Sequence, residues 1–106
     1  MYNRVTQWHH LQVAYFLGRL KRIQESGGSL LDNSMVVYGS SLSDGHAHSA
    51  EILPILLAGR GAGTIESGRH LKFQVQTSMS KLHLAVLQRA GVKATSFGGE
   101  IEPMEL

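Results

Sequence analysis

The stretch SMVVYGSSLSDGHAHSAEILPILLAGRGAG, residues 34–63, constrains the fold more than any other part of the chain. Met35 to Tyr38 is a short apolar run with two valines, bounded by turn formers, the pattern of a fully buried strand. Gly39 to Ala50 is a polar loop. Ile52 to Ala58 is the next apolar run, and Pro54, which has no amide donor, places it at a sheet edge or gives it an irregular start. Gly59 to Gly63 is a glycine-rich turn.

On either side of this stretch the hydrophobic period changes to that of a helix. From Tyr2 to Ser26, Val13, Phe16, Leu17, Leu20 and Ile23 form one apolar stripe, and Trp8, Leu11 and Tyr15 form a second beside it. Together they cover more of the circumference than a surface helix of a small domain needs. Two explanations compete: burial on several sides within one chain, or packing against a partner subunit. The partner is favoured, because 106 residues provide one modest core and little material to wrap a helix. Arg19, Lys21 and Arg22 sit where cations suit the helix dipole. Gly27 and Gly28 then offer a glycine cap. Ser29 to Ser34 is a connector with Asp32 and Asn33 as turn formers.

Beyond the glycine turn, Thr64-Ile65 and Arg69 to Phe73 flank Glu66-Ser67-Gly68, which predicts a short hairpin. Thr77 or Ser78 can cap a second helix that runs to about Ala90. Its apolar face is Met79, Leu82, Val86 and Ala90, with His83 and Leu87 beside it, and Gly91 ends it. The tail carries Phe97 before a Gly-Gly pair, then Glu100, Glu102 and Glu105, which suggests exposure. The order of elements predicts an α/β fold: a small, mostly parallel sheet with a short hairpin, flanked by a long N-terminal helix and a second helix. No boundary or repeat divides residues 1–106, which read as a single domain.

Composition narrows the function classes. The net charge of +2 is small and the basic residues are scattered, which argues against a nucleic-acid surface. The chain has no cysteine, hence neither a disulfide framework nor a thiolate metal site. No apolar run approaches the ~20 residues that span a bilayer. The opening MYNRVTQWHH lacks a signal peptide's apolar centre, so the chain as given is expected to remain in the cytoplasm.

The candidate chemistry lies in the loop after the first strand. Asp44, His46 and His48 follow a predicted strand, at the place where open α/β sheets bind ligands. A carboxylate and two neutral imidazoles are suitable donors for zinc, manganese or iron. In an extended loop His46 and His48 point the same way. The alternative is an exposed turn in which Asp44-Gly45 supplies the bend. A metal site would need completion by Glu51, His70 or another chain. Ser41, in G-S-S-L-S, is a candidate nucleophile with His46 or His48 as base, although the final glycine of a nucleophile elbow is missing. The turn G-R-G-A-G satisfies neither phosphate-loop pattern and reads as a tight crossover, with Arg60 as a possible anion contact or a solvated side chain. His9 and His10, adjacent on a helix, face different directions and cannot share one ion. His83 reads as a core-edge histidine.

The string GSLLDNSMVVYGSSLSDGHAHSAEILPILLAGRGAGTIESGRHLKF, with WHHLQVAYFLGRLKRI before it and SKLHLAVLQRAGV and SFG after it, resembles the C-terminal part of a bacterial family of unknown function. That family is thought to be distantly related to the alkaline phosphatase and sulfatase-like hydrolases. The resemblance covers most of the chain. It implies metal-dependent hydrolysis of phosphate, sulfate or other esters, with Asp44 and His46 as metal ligands and His48 as a further one. In that superfamily the nucleophile and several ligands come from an N-terminal half that has no counterpart here. The ending Gly99-Glu100 and PMEL also departs from the family pattern. Two readings follow: a metal-dependent hydrolase completed across a subunit interface, or a non-catalytic C-terminal domain that self-associates through its first helix. Serine hydrolysis through Ser41 is a more distant third.

Overall fold

A computed structural model describes residues 2–40, 53–74 and 77–106. Among the described residues the fold is α/β, with two helices and two small antiparallel strand pairs. In chain order the elements are α1 (Tyr2–Arg22), β1 (Gln24–Glu25), β2 (Gly28–Ser29), β3 (Val36–Gly39), β4 (Ile55–Ala58), a 3-10 turn (Gly61–Gly63) and α2 (Met79–Arg89).

The long first helix forms as its periodicity predicts, but it stops at Arg22 rather than Ser26. Its last carbonyls are taken by the connector: the Leu30 amide donates to Ile23 O at 2.8 Å and the Leu31 amide to Leu20 O at 3.2 Å. One orphan acceptor of the helix end, Leu20 O, and the carbonyl just past it are thereby satisfied by the connector. Gly27, at φ 87°, instead forms with Ser26 the bend between β1 and β2, and Gly28, at φ 143°, opens β2; Gln24 pairs with Ser29 and Glu25 with Gly28. Asp32 and Asn33 act as the turn formers expected of the connector. The Ser29 amide donates to Asp32 Oδ2 at 3.0 Å, and the Asp32 amide donates back to Ser29 Oγ at 3.1 Å.

The second pair departs from expectation. β3 and β4 run antiparallel, in the register Val36↔Ala58, Val37↔Leu57, Tyr38↔Leu56 and Gly39↔Ile55. A mostly parallel sheet is therefore overturned among the described residues. A short apolar run has no direction of its own, and the connection from β3 to β4 is long enough for either pairing. Nor is β3 fully buried: Val37 is exposed and its neighbours are half-buried. β4 starts immediately after Pro54, consistent with an irregular start.

The hairpin expected over residues 64–73 does not form. Glu66-Ser67-Gly68 does bend, with Gly68 at φ 78° and Arg69 donating to Glu66 O at 3.0 and 3.2 Å. But Thr64 is used on the preceding turn, where its hydroxyl donates to Gly61 O at 2.8 Å, so no strand remains to set a register.

The core lies at α2. Ile65, Leu82, Leu84 and Ala85 are the buried apolar side chains among the described residues, with Leu84 and Ala85 at 0% exposure. Ser78 is the cap: its hydroxyl accepts from the Ser80 amide at 3.1 Å. At the other end the Gly91 amide donates to Gln88 O at 3.1 Å and the Val92 amide to Leu87 O at 3.0 Å, a Schellman end with Gly91 at φ 91°. Arg89 donates to Thr64 O at 3.2 Å and so ties α2 to the glycine turn. The face expected to be buried needs correction. Leu82 is buried as predicted, but Leu84 and Ala85 are buried too, while Ala90 and His83 are exposed.

Candidate functional site

The surface geometry is set by how α1 meets the rest of the chain. At about 100° per residue, Val13, Leu17 and Leu20 share one side of the helix, and these are its half-buried apolar residues. His10 lies on that side too, with its ring edge-on to Tyr38 of β3 at 5.8 Å. On the opposite side Trp8, Leu11 and Tyr15 are 57, 61 and 64% exposed. Phe16 and Ile23, read from sequence as part of the inward stripe, face solvent as well. Every described position from Asn3 to Gln12 is exposed. Among the described residues none buries the Trp8–Tyr15 stripe.

Beneath the inner side of α1 lies an open groove of about 1330 Å³. Its walls include Val13 and Leu17 of α1, Leu56 of β4, Phe73, Met79 of α2 and the terminal Leu106. The ends of β3 and β4 lie at its rim, represented by Tyr38, Ser40 and Leu53. The antiparallel register brings Gly39 and Ile55 together, so the segment between them leaves and returns at one place. Ser41, Asp44, His46, His48 and Glu51 belong to that segment and lie outside the described residues. His70, the other candidate helper, lines the same groove.

The remaining histidines are dispersed. His9 packs edge-on against Trp8 at 5.1 Å, while His10 faces Tyr38, which agrees with the expectation that they cannot share an ion. His83, on α2, is exposed, its ring 5.4 Å from Phe97. Among the described residues no three histidine, cysteine, aspartate or glutamate side chains gather as a metal site.

The glycine turn is structural in its backbone. The Gly61 amide donates to Ser34 O at 3.0 Å and the Ala62 amide to Asp32 O at 2.9 Å, so the donors a phosphate would require are committed to the connector. Gly59, at φ 97°, passes so close to the connector that a Cβ there would collide with the Ser34 carbonyl oxygen. Arg60 borders a shallow hollow with Lys21 and Asp32. The Ser29 amide and then the Ser29 hydroxyl hold the Asp32 carboxyl below its usual range, with Arg60 and Lys21 adding attraction. Asp32 supplies one negative charge against the two cations of this hollow.

Two features of the surface escaped the sequence reading. Arg4 and Arg19 fall on the same line of α1 as Trp8, Leu11 and Tyr15, within about 80° of arc. The spacing of Arg4 to Trp8 and of Leu11 to Tyr15 to Arg19 is i, i+4 and could have revealed this. Ile101 is 74% exposed, in a tail whose glutamates predict exposure but where Ile101 itself is not singled out. Among the described residues no helix is long and apolar enough to cross a membrane.

No protein-family model matches the chain, and no curated protein or solved structure is similar to it at a significant level. The likeness to the bacterial family of unknown function thus rests on the quoted sequence strings.

Proposed function

We propose that this chain is an assembly domain that self-associates through the outer side of α1. The observation that carries this reading is the exposed stripe of Trp8, Leu11 and Tyr15, opposite the side of the helix that the chain itself covers. On full areas of about 150–250 Å² per aromatic residue, Trp8, Tyr15 and Phe16 alone leave roughly 350 Å² open. With Leu11 and Val5 added, the patch reaches the upper range of what a soluble monomer exposes. Tryptophan, tyrosine and arginine, the residue types found here, dominate binding energy at protein interfaces. Sedimentation velocity over a micromolar concentration series tests the reading. The native chain is expected to associate, and Trp8→Ala with Tyr15→Ala is expected to weaken association at least tenfold, by the usual cost of losing such anchors, about 2 kcal/mol or more. A native chain that stays monomeric throughout would refute it.

A second reading is favoured by the β3–β4 register. The segment bearing Asp44, His46 and His48 joins strand ends that lie on the rim of the groove, where His70 is also found. The donor set suits a zinc or manganese ion, which would act as a Lewis acid toward a phosphate, sulfate or other ester. Asp44, His46 and His48 would hold the ion, and Ser41 is the candidate nucleophile for serine hydrolysis. Bound metal and esterase or phosphatase turnover should both fall in His46→Ala and in His48→Ala. Unchanged turnover in the double variant would remove this loop from consideration. Ser41→Ala separates metal hydrolysis from serine hydrolysis.

A further inference from the structure

We infer that α1 docks onto the acidic C-terminal edge of a second copy of this chain, residues 100–106, and not onto a second α1. The inference rests on the self-association reading and names the surface that receives the helix.

The charged residues of α1 apart from its histidines are Arg4, Arg19, Lys21 and Arg22, and the helix contains no acidic residue. Arg4 and Arg19 lie on the same line as the aromatic stripe, one at each end, and both are exposed. Pairing α1 with another α1 would therefore oppose like charges in either direction. Antiparallel helices would place Arg4 against the Arg19–Arg22 end, and parallel ones would place each arginine near its own copy. Like charges facing one another across an interface select against that partner.

The opposite pattern occurs at the other end of the chain. Ile101, 74% exposed, sits between Glu100 and Glu102, with Glu105 exposed just beyond. Lys81 is shared by Glu100 at 3.9 Å and Glu102 at 3.8 Å, so one cation faces two carboxylates and the edge remains negative. This edge is also held in place. Phe97 and Glu100 exchange backbone hydrogen bonds at 2.9 Å, and the Met104 amide donates to Lys81 O at 3.0 Å. Arg89 donates to Leu106 O at 3.4 Å. An apolar centre with a basic rim thus has a counterpart in an apolar centre with an acidic rim. In one chain the two cannot meet through the stripe, because α1 turns its inner side, with Val13 and Leu17, toward the groove that Leu106 also lines. In a two-fold pair the contact forms twice.

The test is a charge swap between chains, read by sedimentation equilibrium. One variant carries Arg4→Glu and Arg19→Glu; the other carries Glu102→Lys and Glu105→Lys. All four positions are exposed, and far-UV circular dichroism checks that each variant is folded. Each variant alone should lose association by at least about tenfold, because both contacts now oppose like charges. An equimolar mixture should recover native-like association as a mixed pair, since one contact is native and the other is inverted but complementary. Failure of the mixture to recover, with both variants folded, would overturn the inference. So would a tail variant that associates as the native chain does, or an arginine variant that pairs more tightly with native chain than native chain with itself, the sign of α1 against α1. In these cases self-association itself stands. A monomeric native chain removes the assembly reading as well.

Discussion

The two helices have similar shares of apolar residues but differ in where those residues lie. α2 has a serine cap, a glycine-terminated end and side chains buried completely at Leu84 and Ala85. α1 is longer, contains a tryptophan, a phenylalanine and two tyrosines, and leaves Trp8, Tyr15 and Phe16 at least half exposed. Apolar content does not separate them; direction does. The inward Val13, Leu17 and Leu20 of α1 are aliphatic and half-buried, whereas Trp8, Tyr15, Phe16 and the arginines are exposed. Side chains that hold the chain together can thus be told apart from those that, on the proposed assembly reading, would hold chains to each other.

That comparison can be broken at its strongest point first. Leu84→Ala removes a side chain with no exposed surface and should cost about 2–5 kcal/mol of stability in chemical denaturation. The matched change Leu11→Ala on α1 should shift monomer stability by no more than about 0.5 kcal/mol while weakening association. Equal effects on stability would erase the distinction between the helices. Gly59→Ala probes the packing of the glycine turn against the connector. Its left-handed backbone and the collision with Ser34 O should cost about 1–3 kcal/mol, read as a lowered thermal midpoint. Ser78→Ala removes the cap of α2 and should cost about 1 kcal/mol.

The smallest effect concerns pH. The folded-state pKa of Asp32 lies below its unfolded value, so its contribution to stability is present above the ordinary carboxylate range and is lost as pH falls through the folded value. Asp32→Asn should therefore destabilise the chain at neutral pH and narrow the gap between its stability and that of the native chain in acid. Denaturation midpoints at neutral and acidic pH check this, and a gap that widens in acid would contradict it.

Much of the fold was legible because its signals are local. The stripe of α1, the Ser78 cap, the Gly91 end and the apolar runs of β3 and β4 can each be read from a few neighbouring residues. What failed depends on distant parts of the chain. Gly27 and Gly28 suit a helix end as well as a hairpin bend, and only the hydrogen bonds from Leu30 and Leu31 to the end of α1 decide between them. The direction of β3 against β4 is equally open in sequence. Thr64 was assigned to a strand because its bond to Gly61 O is a property of the folded turn. The predicted site was legible as chemistry, a carboxylate and imidazoles after a strand, and its strand ends lie on the groove. The residues themselves lie outside those described, so their convergence is tested by metal content and turnover.

The claim that α1 is covered by a second copy while α2 belongs to its own chain is tested most directly by amide hydrogen exchange at two concentrations. Protection of residues 80–89 should be strong and independent of concentration. Protection of residues 5–16 should rise as the chain associates and fall on dilution, and fall equally in Trp8→Ala with Tyr15→Ala. Protection of residues 5–16 that is high and unchanged by dilution would contradict the account.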